Sequence, residues 1–152
     1  MGYIEEIRKL VGHRPIILVG AAVVLVNETG HILLQQRTYP KGKWGLPGGL
    51  MELGESTEMT ACREVLEETG LHINSLQLID VFSGPNHFSI AENGDEFYMV
   101  TIAYSTSDYE GDIQIDTTES MDVRFFHPDK LPTYLVGSHR LILEKFFQQQ
   151  ET

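Results

Sequence analysis

Three glutamates, Glu64, Glu67 and Glu68, stand within five residues of one another and are followed at once by Gly70. At i, i+3 and i+4 of a helix they share one edge, so their charge is concentrated rather than spread. Neighbouring carboxylates at roughly 6 Å repel by about 0.7 kcal/mol per pair in bulk water, and several-fold more near a protein surface. A hard divalent cation, which takes several carboxylate and carbonyl oxygens, is the natural partner for such an edge. The chemistry this suggests is binding and activation of an anionic group through a metal ion.

The element that carries them is well specified. Ser56 is suited to cap the start of a helix, and Glu58 follows in its first turn, where a carboxylate meets the positive end of the helix dipole. Gly70 can take the left-handed conformation that ends it. At about 100° per residue, Cys62, Val65, Leu66 and Thr69 fall opposite the glutamates and are expected to pack, leaving the acidic face free for chemistry. Arg63 lies one turn from Glu67 and is expected to hold that carboxylate in place. Cys62, the single cysteine, excludes an internal disulfide and reads as a buried structural thiol.

Gly49, Glu55 and the run Arg63, Glu64, Val65, Leu66, Glu67, Glu68, Thr69, Gly70, Leu71 together resemble the Nudix box in full, over 23 of the 152 residues. The preceding Trp44, Gly45, Leu46, Pro47 and Gly48 resemble that family's usual approach to the box. The resemblance implies hydrolysis of a diphosphate joined to another moiety, usually a nucleoside, with magnesium or alternatively manganese. It implies that Glu64, Glu67, Glu68 and the Gly48 carbonyl hold the metal, with Glu64 a ligand or the base that deprotonates water. Arg63 acts by positioning, and Gly49, Glu55 and Gly70 support the site. Some members use a further carboxylate outside the box. Glu119 is the leading candidate for that base here, ahead of Asp122 and Glu96. A non-catalytic nucleotide-binding or sensing module on the same fold is the alternative, and the retention of every catalytic-type carboxylate favours the enzyme.

Around the box, Ile16 to Val26 and His31 to Gln36 read as strands joined by a hairpin turn at Asn27–Gly30. Leu76 to Phe82, Phe97 to Ser105 and Val123 to His127 read as further strands, and a closing helix is expected after Ser138. Met1 to Val11 is amphipathic, with Ile4, Ile7, Leu10 and Val11 on one face. Ser83 to Glu96 is polar and turn-rich, the best candidate for a mobile loop over the site. This order suggests an α/β chain with a mixed sheet between helical layers. The resemblance sharpens it to the Nudix-type α/β/α sandwich, in a single domain over residues 1–152.

Substrate contacts outside the box are expected from Arg37 and Lys43 toward phosphate, and from His87 and Tyr98 toward a substrate ring. Lys41, Tyr39, Trp44 and Phe88 are weaker candidates. Asp108, Glu110 and Asp112 lack the EF-hand ligand spacing and read as a charged turn. The net charge of −11 argues against general attraction for a nucleic-acid polymer, leaving a small diphosphate-containing molecule as the expected partner. Ile16 to Val26 is about half the length needed to cross a bilayer, and the start carries Glu5 and Glu6 where an export signal is basic. No membrane association and a cytoplasmic location are expected by default, and a homodimer that shares substrate contacts stays open.

Overall fold

The computed structural model describes residues 2–115, 118 and 120–151. The elements run α1 (Tyr3–Val11), β1 (Ile16–Leu25), β2 (Ile32–Arg37), β3 (Trp44–Gly45), β4 (Gly48–Leu50), α2 (Thr57–Thr69), β5 (His72–Ile73), β6 (Gln77–Phe82), β7 (Phe88–Ile90), β8 (Glu96–Thr106), β9 (Tyr109–Glu110), β10 (Ser120–Phe126) and α3 (Gly137–Gln150). A mixed five-stranded sheet has the order β4-β1-β8-β6, with β7 also paired to β8. Strands β10-β2-β3 form a second sheet, and β5 pairs β9. The chain is thus an α/β sandwich built on a mixed sheet, as its sequence predicts. Among the described residues, no helix is long and apolar enough to cross a membrane.

β1 explains why its sequence is almost continuously apolar rather than alternating. Ala22 and Val24 enter one core with Trp44, Leu46, Ile142 and Phe146. Ala21, Val23 and Leu25 enter the other, with Ala61, Val65 and Leu71. A central strand with both faces covered has no solvent side to keep polar. One helical layer is therefore α2 and the other α3, and the box sits on the α2 side.

Several expectations need correction. The Asn27–Gly30 turn forms, with Asn27 Oδ1 accepting from Thr29 N at 3.0 Å and His31 N at 2.9 Å. It does not open a ladder between its flanking strands, which share only the single bridge Val26–Ile32. β1 instead pairs β8 in parallel over its full length and β4 on its other edge, which makes it a central strand of the sheet. Ser83 to Glu96 is not a plain loop: it holds a 3₁₀ turn at Pro85–His87 and the strand β7, whose Phe88, Ser89 and Ile90 pair with Tyr98, Phe97 and Glu96.

α1 forms as a helix, yet its apolar face is not buried, and Leu10 is 82% exposed. Polar contacts dock it instead: Arg8 donates to the Glu96 carbonyl at 2.6 Å, and the Tyr3 N–H donates to Glu52 Oε2 at 3.1 Å. On α2 the buried positions are Thr60, Ala61, Val65, Glu68 and Thr69. Leu66, expected to pack, is 50% exposed, and Glu68, expected on the open face, is 8% exposed. The buried stripe is rotated because Glu68 has fixed polar partners beneath the helix. Cys62 is part-buried, and burial followed by the charge of Glu58 pushes its thiol pKa up, so it stays protonated near neutrality.

Candidate active site

α2 is fixed at both ends as its sequence requires. Ser56 Oγ accepts from Met59 N at 3.0 Å, and the Gly70 N–H donates to the Leu66 carbonyl at 2.9 Å from a left-handed residue at φ 79°. Between those caps Arg63 is the hub. Its Nε and Nη2 grip Glu55 Oε2 and Oε1 at 2.7 and 3.0 Å, and Nη2 also donates to the Leu50 carbonyl at 3.0 Å. Its Nη1 donates to Glu64 Oε1 at 2.7 Å and only distantly, at 3.4 Å, to Glu67 Oε2. The expectation that Arg63 chiefly holds Glu67 is therefore corrected: sequence spacing offered the i+4 partner, but the bidentate geometry goes to Glu55 across the turn.

Glu55 also accepts from Glu52 N at 2.9 Å and Thr60 Oγ1 at 3.0 Å, so it ties the 52–55 turn to the helix. Those bonds, Arg63's first, pull its carboxyl pKa down to about 2.

Glu68 is held from two directions. The Gly48 N–H donates to its Oε1 at 2.8 Å, and Gln35 Nε2 donates to its Oε2. Gln35 lies on β2 and carries no local signal of this role. Its own Oε1 is buried without a hydrogen-bond partner, so the amide is oriented wholly toward the carboxylate.

Gly48 is required by close backbone approach, and Gly49 leaves room for the Glu64 carboxylate. A Cβ at Gly48 would lie 2.1 Å from the Ala21 carbonyl oxygen, and one at Gly49 would lie 2.4 Å from Glu64 Cδ. The Glu64 carboxylate thus rests directly on the Gly49 backbone. Glu64 is mostly covered, with its side chain 17% exposed, whereas the Glu67 side chain is 51% exposed.

Three carboxylates of graded exposure beside a glycine backbone make an all-oxygen donor set. That set fits a hard divalent cation and would suit a soft one poorly. Among the described residues no three His, Cys, Asp or Glu side chains already converge on one point.

Gly48 and Gly49 also line a cavity of about 550 Å³. Arg37, Lys43 and His87 line it, as do Phe97 and Met99 of β8. Tyr98, between those two, is not among the lining residues, and its ring meets at 5.1 Å that of Phe88, which does line the cavity. Burial lowers the Arg37 pKa while the charge of Glu68 opposes that shift.

Lys43 Nζ stands 5.4 Å from the Tyr134 ring centroid. Trp44 belongs to the core and packs edge-on against Phe126. Asp122 accepts from Arg124 Nε at 2.9 Å, and Glu119 lies outside the described residues. Asp108 accepts from Asn74 and Ser75 at 3.1 Å and serves to join two segments of chain.

Besides Gln35, a second residue at this site carries no signal in the sequence. His139, in the first turn of α3, lines the cavity and accepts the Leu46 N–H on Nδ1 at 2.9 Å. Burial and then the neighbouring Arg37 push its pKa down to about 3, so the ring is neutral near neutrality.

Comparison with known proteins agrees with this geometry. A family model described as the NUDIX domain matches residues 17–146. A candidate 8-oxo-dGTP diphosphatase of Bacillus subtilis (strain 168) is 32% identical over 127 residues, spanning 84% of this chain and 78% of its own length. An ADP-ribose pyrophosphatase of Methanocaldococcus jannaschii is 27% identical over 126 residues, spanning 82% of this chain and 70% of its own. Two further curated relatives match over 68 and 77 residues, 31% and 49% of their own lengths. The crystal structure of a MutT NUDIX hydrolase from Burkholderia pseudomallei superposes with a TM-score of 0.72 at 30% identity, over 87% of this chain and 98% of that one. With the box on α2, its glycine approach on β4 and the family match running from β1 into α3, the chain belongs to the NUDIX family.

Proposed function

We propose that this chain is a divalent-metal-dependent pyrophosphohydrolase that cleaves the diphosphate of a nucleoside diphosphate linked to another moiety. The observation that carries this reading is the placement of Glu64 and Glu68 against the Gly48–Gly49 backbone, which also lines a cavity containing Arg37 and Lys43. A substrate in that cavity brings its phosphates to the glycine segment on which the carboxylates are held.

Glu67, Glu68, Glu64 and the Gly48 carbonyl would hold the metal, magnesium by preference for its hard oxygen set. When bound, the metal supplies neutralisation of charge on the phosphoryl oxygens. The remaining work falls to the chain. Arg37 and Lys43 offset the substrate's negative charge inside a protein whose net charge is −11. Arg63 fixes Glu64 and, through Glu55, the turn before the helix. Glu64, or Glu119 if that residue reaches the site, accepts a proton as water attacks phosphorus and the anhydride P–O bond breaks.

Relatives include both a candidate nucleotide diphosphatase and an ADP-ribose pyrophosphatase, so the substrate panel must span both kinds. Purified protein with magnesium should convert at least one compound among nucleoside triphosphates, ADP-ribose, sugar nucleotides and dinucleotides into a nucleoside monophosphate and a second phosphate-bearing product, separated by chromatography. Silence across that panel would favour a binding module on the same fold.

A further inference from the structure

The segment Leu46–Gly49 is held from opposite sides by two helices. On the α2 side the Gly48 N–H donates to Glu68 at 2.8 Å. On the α3 side the Leu46 N–H donates to His139 Nδ1 at 2.9 Å across 93 positions of chain. Pro47, between them, has no N–H, and its carbonyl accepts from Val23 N at 3.0 Å. Leu46 is 1% exposed, so its N–H depends on the imidazole rather than on water.

The imidazole is itself registered to the segment. Trp44 N donates to the Tyr134 carbonyl and Val136 N to the Trp44 carbonyl, both at 2.9 Å, so the chain entering α3 lies alongside β3. Gly45 leaves room for this approach, since a Cβ there would stand 3.0 Å from His139 Nδ1 and 3.2 Å from Arg37 Nε. An accepting Nδ1 requires the proton to sit on Nε2. A second proton would remove the acceptor and set a positive ring beside the Arg37 guanidinium.

We propose that His139 is a positioning residue for hydrolysis, holding the Gly48–Gly49 turn in place against the α2 carboxylates through its bond to the Leu46 N–H. This rests on the reading above that Gly48 belongs to the metal-holding set. His139 also lines the cavity, so the rival role is direct contact with substrate through Nε2–H.

Three variants separate the two roles. His139→Asn places an amide oxygen where Nδ1 lies and drops the distal donor. His139→Gln places its amide nitrogen near Nε2 and drops the acceptor, and His139→Ala drops both. Positioning predicts that kcat falls roughly ten- to hundredfold in the Ala and Gln variants, as expected for a buried N–H left unpaired. It predicts KM within about threefold, a raised magnesium half-saturation, and kcat of the Asn variant close to wild type.

A readout independent of activity is hydrogen exchange at the Leu46 amide, which should be protected in wild type and His139→Asn and fast in the other two. Equal protection in His139→Ala, or an effect confined to KM with the Asn variant as damaged as Ala, would overturn the proposal. If wild type hydrolyses no diphosphate, the proposed function falls and the catalytic half of this inference with it. The Leu46 exchange pattern still decides whether the contact exists.

Discussion

Two helices grip the same glycine turn, and they do it with very different chemistry. α2 brings carboxylates: Glu68 takes the Gly48 N–H and Glu64 rests on Gly49, all within a run of residues whose spacing repeats the helical period. α3 brings one neutral imidazole that takes the Leu46 N–H. The charged grip can also hold a cation, whereas the neutral grip can only hold the backbone. Removing a residue from α2 should therefore abolish chemistry, and removing one from α3 should blunt it.

The largest effect is expected on the charged side. Glu67 is half-exposed and bonds Arg63 only at 3.4 Å, so Glu67→Gln should lower kcat by roughly a hundredfold or more while the melting temperature barely moves. Glu68→Gln should lose activity and stability together, because Glu68 is buried and holds both Gly48 and Gln35. Parallel kinetics and thermal melts check the contrast. Equal stability losses in the two variants would erase the distinction between an open and a buried ligand.

Next comes the turn itself. Gly48→Ala puts a methyl 2.1 Å from the Ala21 carbonyl oxygen, with backbone rather than a flexible side chain as the obstacle. It should cost about 1–3 kcal/mol in denaturant unfolding and remove most activity. On the packing side of α2, Val65→Ala should cost about 2 kcal/mol, while Leu66→Gln should stay within about 0.5 kcal/mol. The reverse ranking would restore the buried stripe that the sequence predicts.

The smallest effect is a dependence on acid. Arg63's bonds depress the Glu55 pKa from 4.5 to about 2 in the folded chain, so its contribution is complete above about 4.5 and lost as pH falls through about 2. The gap in melting temperature between wild type and Glu55→Gln should be widest near neutrality and close between those limits. A gap independent of pH would show that the Arg63 clamp does not depend on the charge of Glu55.

The same comparison shows what the sequence could reveal. Ser56, Gly70 and the glutamates were legible because their physics is local: caps and i, i+4 neighbours depend on residues within one or two turns. The family resemblance rests on that same run. β1 was legible as a buried strand from its apolar length, but its parallel partner β8, some eighty residues on, leaves no mark in it. The exchange of Leu66 for Glu68 on the buried stripe was hidden because Gln35 and Gly48, 33 and 20 positions away, supply the partners that let a carboxylate go inside. Pairing with β8 overrode the polar composition of Ser83–Glu96 in the same way. His139 was hidden most completely, since one histidine at the start of a helix carries no pattern until the fold sets Leu46 beside it.

The account turns on whether the carboxylate edge of α2 performs metal-dependent cleavage of a diphosphate. The direct measurement is formation of nucleoside monophosphate from the diphosphate panel, followed by chromatography, by wild type and Glu67→Gln, with magnesium present and then removed by chelation. The account predicts turnover by wild type that vanishes on chelation and returns with added magnesium, and turnover by Glu67→Gln lower by roughly two orders of magnitude or more. Equal magnesium-dependent turnover by the two proteins, or wild-type turnover that survives chelation, would contradict it.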